Sequence, residues 1–170
     1  MIRRNVAAGC LGAVVGLAIV APHAGVRWNH TPSMPLGLWL ERSSIRAYVT
    51  GDIVEVCPAL PDRLRVYLAP GDCPTGLEPM LKPIAAVAGD LVVVDQTEMT
   101  VNGTAIPNTA PLPRDPSGRP LQPYPAGTYE VAPGQVWLIV PRLDSLDGRY
   151  LGPVAVDAIK ALATPLWVSR

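Results

Sequence analysis

The chain has 170 residues, with 14 basic and 14 acidic side chains. A formal charge of zero leaves no electrostatic footprint for a polyanion and argues against nucleic acid as a partner. The 20 prolines, 15 glycines and absence of Phe speak for strands joined by turns and against a helical bundle, in one domain of ordinary size plus a short appendage.

Residues 5–21 carry no charged side chain and follow Arg3 and Arg4, which would stay on the cytoplasmic side of a membrane. The segment is near the short end of the roughly 17 to 25 residues of a spanning helix. It reads as an anchor, with residues 1–22 forming a cytoplasmic tip and transmembrane segment and residues 23–170 lying outside. A cleaved signal peptide is the alternative, although Pro22 would hamper cleavage nearby. Cys10 reads as a buried membrane thiol rather than a lipid acceptor.

Beyond it comes Thr31-Pro32-Ser33-Met34-Pro35, a serine bracketed by prolines. Each proline fixes its own φ and restricts the residue before it, so Ser33 is held on a stiffened backbone. Residues 37–40 and the alternating 52–56 predict the first two strands of a core sheet. Leu36, Leu38 and Trp39 suit either a peptide-binding groove or the core, and the core is favoured. Pro58, Pro61, Pro70, Pro74 and Pro79 make residues 58–79 a surface excursion holding one short helix or edge strand. Cys57 and Cys73 lie on the oxidising side of the proposed membrane. A disulfide between them would close a loop of about 15 residues, worth about 3 kcal/mol. Two separate thiols are the alternative, and a metal would be short of ligands.

Residues 81–87 and 91–94 predict buried strands with a turn at Gly89-Asp90. Residues 100–106 place Asn102-Gly103 between β-prone flanks, a hairpin signal. Residues 107–125 turn to Pro, Gly, Arg and Asp and predict a long exposed loop. Residues 128–131 and 135–140 predict two more strands, and residues 154–162 fit a last strand or a short helix.

A serine hydroxyl needs a base to remove its proton. Lys82, followed by Pro83, Ile84, Ala85, Ala86 and Val87, is set among apolar residues. Burial lowers an ammonium pKa of roughly 10.4 by up to about 3 to 5 units. A surface lysine and an ordinary turn serine are the bland readings of the same pair. The two histidines, His23 and His30, both lie just after the membrane segment, and although His30 is three residues from Ser33 no motif supports a histidine base.

Four pieces in order, Thr31-Pro32-Ser33-Met34-Pro35, Gly51-Asp52-Ile53-Val54, Lys82 followed by Gly89-Asp90, and Ser145-Leu146-Asp147-Gly148-Arg149-Tyr150-Leu151-Gly152, resemble the signal peptidase family of serine proteases. They are similar in particular to its branch of conjugative-transfer (TraF-type) peptidases. The resemblance covers nearly the whole chain. It implies a mostly β, signal-peptidase-like catalytic domain behind a transmembrane helix, with Ser33 as nucleophile and Lys82 as base. It also implies an oxyanion site from Thr31 and the Ser33 N–H, Ser145 orienting Lys82, and Asp147 and Arg149 bracing the site. Thr31 stands where many members carry serine, and Gly148 where a small polar residue is common. No cofactor is implied.

The resemblance further implies a peptidase of the inner membrane of a Gram-negative bacterium, with a periplasmic catalytic domain. Its substrate would be an exported precursor, foremost a conjugative pilin that is cleaved or cyclised, with small side chains preferred at the cleavage point. A general signal peptidase acting on preproteins and a non-catalytic component of the conjugation apparatus are the alternatives.

Overall fold

Strands make up nearly all the regular structure, as the turn-rich composition predicts. The computed structural model describes residues 25–169. The expected anchor at 1–22 lies outside the described residues, and among them no helix is long and apolar enough to cross a membrane.

In chain order the elements are β1 (Val26–Asn29), β2 (Gly37–Arg42), β3 (Ile53–Val56), the one-turn helix α1 (Asp62–Arg65), β4 (Met80–Val87), β5 (Leu91–Val94), β6 (Met99–Val101) and β7 (Thr104–Ile106). They continue with β8 (Gly127–Glu130), β9 (Gln135–Leu138), α2 (Gly148–Leu151), β10 (Val154–Ala155), a 3-10 turn (Val156–Ala158) and β11 (Ile159–Val168). The ambiguous 154–162 thus resolves into a short strand, a turn and the start of the longest strand. β1 has no counterpart among the predicted elements.

A seven-stranded sheet in the order β1-β2-β11-β3-β4-β9-β10 carries the site, and a four-stranded sheet β7-β6-β5-β8 stands beside it. Sequence-distant strands become neighbours here: β11 inserts between β2 and β3. That insertion needs Gly37. Its φ is +136°, and a Cβ there would lie 2.2 Å from the Trp167 carbonyl oxygen, so any side chain would push β11 away. At the β6–β7 hairpin, Asn102 and Gly103 both have positive φ (50° and 77°), as a two-residue turn of this twist demands.

Burial along β4 alternates strictly, with Met80, Lys82, Ile84 and Ala86 inward. Met80 and Ile84 pack with Val54, Val56, Val136, Leu138 and Val154 in one core. The pairing of β4 with β9 shifts register between Ile84 and Ala86, and Ala86 joins a second core with Val92, Val94, Met99, Val131, Trp137 and Ile139. A bulge of this kind re-aims side chains along a strand. One strand therefore serves both cores.

The 58–79 excursion is pinned by a Cys57–Cys73 disulfide, with S–S 2.02 Å and Cα–Cα 5.6 Å. Inside it Leu64 is buried, and Arg65 donates to the Thr75 carbonyl at 3.0 Å. Replacing both cysteines by serine is expected to lower unfolding free energy by about 3 kcal/mol. Urea titration checks this, and a wild-type midpoint insensitive to reductant would contradict it.

Candidate active site

The turn between β1 and β2, residues 30–36, carries Ser33, and its shape is dictated by one buried amide. Asn29, at the end of β1, is only 9% exposed. Its Nδ2 donates to the carbonyls of Thr31 (3.0 Å), Met34 (3.1 Å) and Pro35 (3.0 Å). Its Oδ1 accepts from the Thr31 N–H (3.2 Å) and the Thr31 hydroxyl (2.8 Å). Trp39 Nε1 donates to the Pro35 carbonyl at 3.1 Å from the opposite side. Trp39 is accordingly core, whereas Leu36 is exposed and Leu38 half-buried. Sequence reasoning missed Asn29. Its only signal is an amide-bearing residue two positions before Thr31.

Lys82 enters from β4, in the inward register between Met80 and Ile84, and is 4% exposed. Burial lowers its pKa to about 8, against the opposing pull of the Asp147 carboxylate and with the help of the Arg149 charge. Its Nζ donates to Ser145 Oγ at 3.0 Å, and Ser145 is itself buried. Ser33 and Lys82 line one cavity of about 210 Å³, together with Thr31, Tyr67, Asp144 and Leu146. The sequence-derived pair is therefore brought to a common chamber.

Arg149 and Asp147 are wholly buried. The guanidinium meets the carboxylate at 2.9 Å (Nε to Oδ1) and 3.0 Å (Nη2 to Oδ2). It also donates to the carbonyls of Val140 (2.8 Å), Arg142 (2.8 Å) and Leu143 (3.1 Å). Asp147 accepts in addition from the Val140 N–H at 3.0 Å and caps α2 through the Arg149 N–H at 3.2 Å. Fully satisfied donors and acceptors are the condition under which a buried ion pair is tolerable. This one stitches residues 140–147 into the rigid frame from which Ser145 reaches Lys82. Asp147 spends its oxygens on its own segment and acts on Lys82 only through its field.

One departure from the family pattern acquires a physical reason. A Cβ at position 148 would lie 2.9 Å from the Leu138 carbonyl oxygen and 3.0 Å from Trp137 Cε3, so Gly148 leaves no space for a polar side chain. The Thr31 hydroxyl donates to Asn29 Oδ1, so its proton must be released from that bond before it can serve an oxyanion. His30 is exposed, with Nε2 3.3 Å from Glu78 Oε2.

The chamber opens on the Thr31 side into a cavity of about 500 Å³. Arg27, Glu41, Glu55 and Asp72 line it as a charge network that sequence reasoning did not single out. Arg27 contacts Glu41 (3.3 Å), Glu55 (3.6 Å) and Asp72, and Lys160 contacts Glu55 and Asp72, both at 3.1 Å. Burial and the neighbouring Glu55 charge raise Glu41 to a pKa of about 7, against the pull of Arg27.

A strand-borne lysine kept dry thus lines the same chamber as a serine-bearing turn. The chain matches the family "Signal peptidase, peptidase S26" over residues 1–167, and it belongs to that peptidase family. Its relatives include a "Probable conjugal transfer protein TraF" from Sinorhizobium fredii, 39% identical over 89% of this chain and 81% of the relative. A "Plasmid transfer protein TraF" from Escherichia coli is 36% identical over 91% of this chain and 90% of the relative. Among solved structures, a signal peptidase I from Enterococcus faecalis V583 is 18% identical with a TM-score of 0.40, covering 71% of this chain and 100% of that one.

The depressed Lys82 pKa ties stability to pH. Between about 8 and the ordinary 10.5 the unfolded chain binds a proton that the folded chain does not, so stability rises with pH through that window. Below about 8 the folded state carries a charged amine in a dry strand. Lys82→Met is expected to raise stability at pH 7, by on the order of 3 kcal/mol. Urea unfolding at pH 7 and pH 10.5 checks this, with the advantage shrinking at the higher pH.

Proposed function

We propose that this chain is a membrane-anchored serine endopeptidase, with a Ser33/Lys82 dyad on the periplasmic face of the inner membrane, that processes an exported precursor in conjugation. The observation that carries the reading is the shared chamber of Ser33 and Lys82, with the Lys82 amine buried and tied to Ser145. The conjugal-transfer and plasmid-transfer names of the relatives support a role in conjugation, for which a pilin precursor is the substrate proposed. The Cys57–Cys73 bond fits an oxidising compartment.

In this reading neutral Lys82 takes the Ser33 proton as Oγ attacks the scissile carbonyl. The Ser33 N–H and the Thr31 hydroxyl, turned away from Asn29, stabilise the oxyanion. The carbon–nitrogen bond then breaks, and the proton passes from Lys82 to the leaving amine. The acyl-enzyme is resolved by water, giving hydrolysis, or by an amine of the substrate itself, giving a cyclic product. Ser145 keeps the Lys82 amine aimed, and Asp147 with Arg149 holds Ser145. No cofactor takes part.

Mass spectrometry of a co-expressed pilin precursor tests the proposal. Cleavage lowers the mass by the leaving segment, and cyclisation lowers it by one further water. Ser33→Ala and Lys82→Ala are each expected to leave the precursor intact, and processing by both variants would overturn the dyad. Wild-type turnover should rise with pH through about 8, because the uncharged amine is the active form.

The Thr31 assignment has its own measurement. Thr31→Val is expected to lower kcat by roughly 100-fold with little change in KM, and Thr31→Ser to restore most of it, in single-turnover assays.

A further inference from the structure

The two sides of the Ser33–Lys82 chamber differ in chemistry. Towards Thr31 lies the charged cavity described above. Towards Ser145 lies another of about 340 Å³, which shares Tyr67, Asp144 and Leu146 with the chamber and is lined by Ser145 itself. Leu112, Leu121, Leu143, Leu146 and the rings of Tyr67 and Tyr150 give it an apolar lining, with Asp115, Arg119 and Asp144 as its charged members.

This cavity is built by the proline-rich 107–125 segment, which is anchored throughout. Asp115 Oδ1 accepts from the N–H groups of Ser117 (2.9 Å) and Arg119 (2.8 Å) and closes the tip. The Leu112 N–H donates to the Tyr150 hydroxyl, and the Tyr124 N–H to the Arg149 carbonyl, both at 2.8 Å. The Arg119 guanidinium lies 4.6 Å from the centre of the Tyr67 ring, joining the loop to the disulfide-closed excursion. One wall is thus held by α2 and the other by the excursion.

We propose that this cavity is the subsite for the leaving segment and takes an apolar side chain of about leucine size from the first three residues after the scissile bond. The inference rests on the dyad reading. In the tetrahedral intermediate the former carbonyl oxygen faces the Thr31 and Ser33 donors, and the scissile nitrogen must face Lys82 Nζ to receive its proton as the carbon–nitrogen bond breaks and the ester to Ser33 remains. Nζ is held by Ser145, and Ser145 lines this cavity. The chain that continues from that nitrogen therefore runs into the apolar cavity, and the acyl side runs towards the charged one. The acceptor of the second step must hand its proton to Lys82 from the same direction, so an amine acceptor is held there too.

The test uses the full chain in detergent micelles and internally quenched peptides with Ala before the scissile bond and Leu or Asp at each of the three positions after it. Leu is expected to exceed Asp in kcat/KM by about tenfold or more at one of these positions. Leu121→Lys and Leu112→Lys, on the loop wall, are each expected to shift that ratio towards Asp while the ranking of peptides varied before the bond stays the same. Cleavage by wild type without discrimination after the bond overturns this inference alone, as does an unchanged ratio in both variants. No cleavage of any peptide overturns the dyad reading and this inference with it.

Discussion

One amine in one strand register governs this molecule. β4 alternates inward and outward without a break, so the parity that buries Met80 and Ile84 also buries Lys82. Sheet pairing on both sides, to β3 and to β9, leaves the strand no freedom to slip. A one-residue slip would turn Lys82 to solvent together with its apolar neighbours. The cost of a dry amine is therefore imposed by the surrounding core and not by any local feature of the lysine. The lowered pKa expresses that imposed cost.

The groups around that amine are held by two separate scaffolds. Asn29 fixes the serine-bearing turn through five hydrogen bonds within seven residues of chain. Arg149 and Asp147 fix the opposite wall through a saturated buried network. Each scaffold is local in sequence, and the large sheet brings them together. Ser33 and Ser145 sit on irregular segments, Lys82 on a strand, and the sheet supplies the rigidity that relates them. The Cys57–Cys73 bond and the Arg119–Tyr67 contact extend the same principle to the outer loops.

Much of this was legible in residues. The alternation at 52–56, the apolar runs at 81–87 and 91–94 and the Asn102-Gly103 turn all report local preference, and each appears as an element close to its predicted bounds. Ser33, Lys82, Ser145, Asp147 and Arg149 were marked by short motifs whose order along the chain carries the family resemblance. β1 was not legible, because Val26–Asn29 is too short to show a period and is stabilised by pairing with β2. Asn29 was not legible because its role depends on carbonyls of a turn that exists only once β1 and β2 pair. The 107–125 segment reads as an open loop from composition, yet it is tied down by partners at Tyr150 and Arg149 that composition cannot reveal.

By itself the amino-acid sequence determined the strand-rich class, the turns, the two cysteines and the reactive residue types, since these follow from backbone preference and side-chain chemistry over a few positions. Tertiary structure alone decided that β11 lies between β2 and β3, that Gly148 has no room for a side chain, and that the Thr31 proton is engaged by Asn29. It also decided that Lys82 meets Ser145 across 63 residues of chain. Such facts arise from contacts between distant segments, whose free energy depends on the whole packed sheet and on no window of sequence.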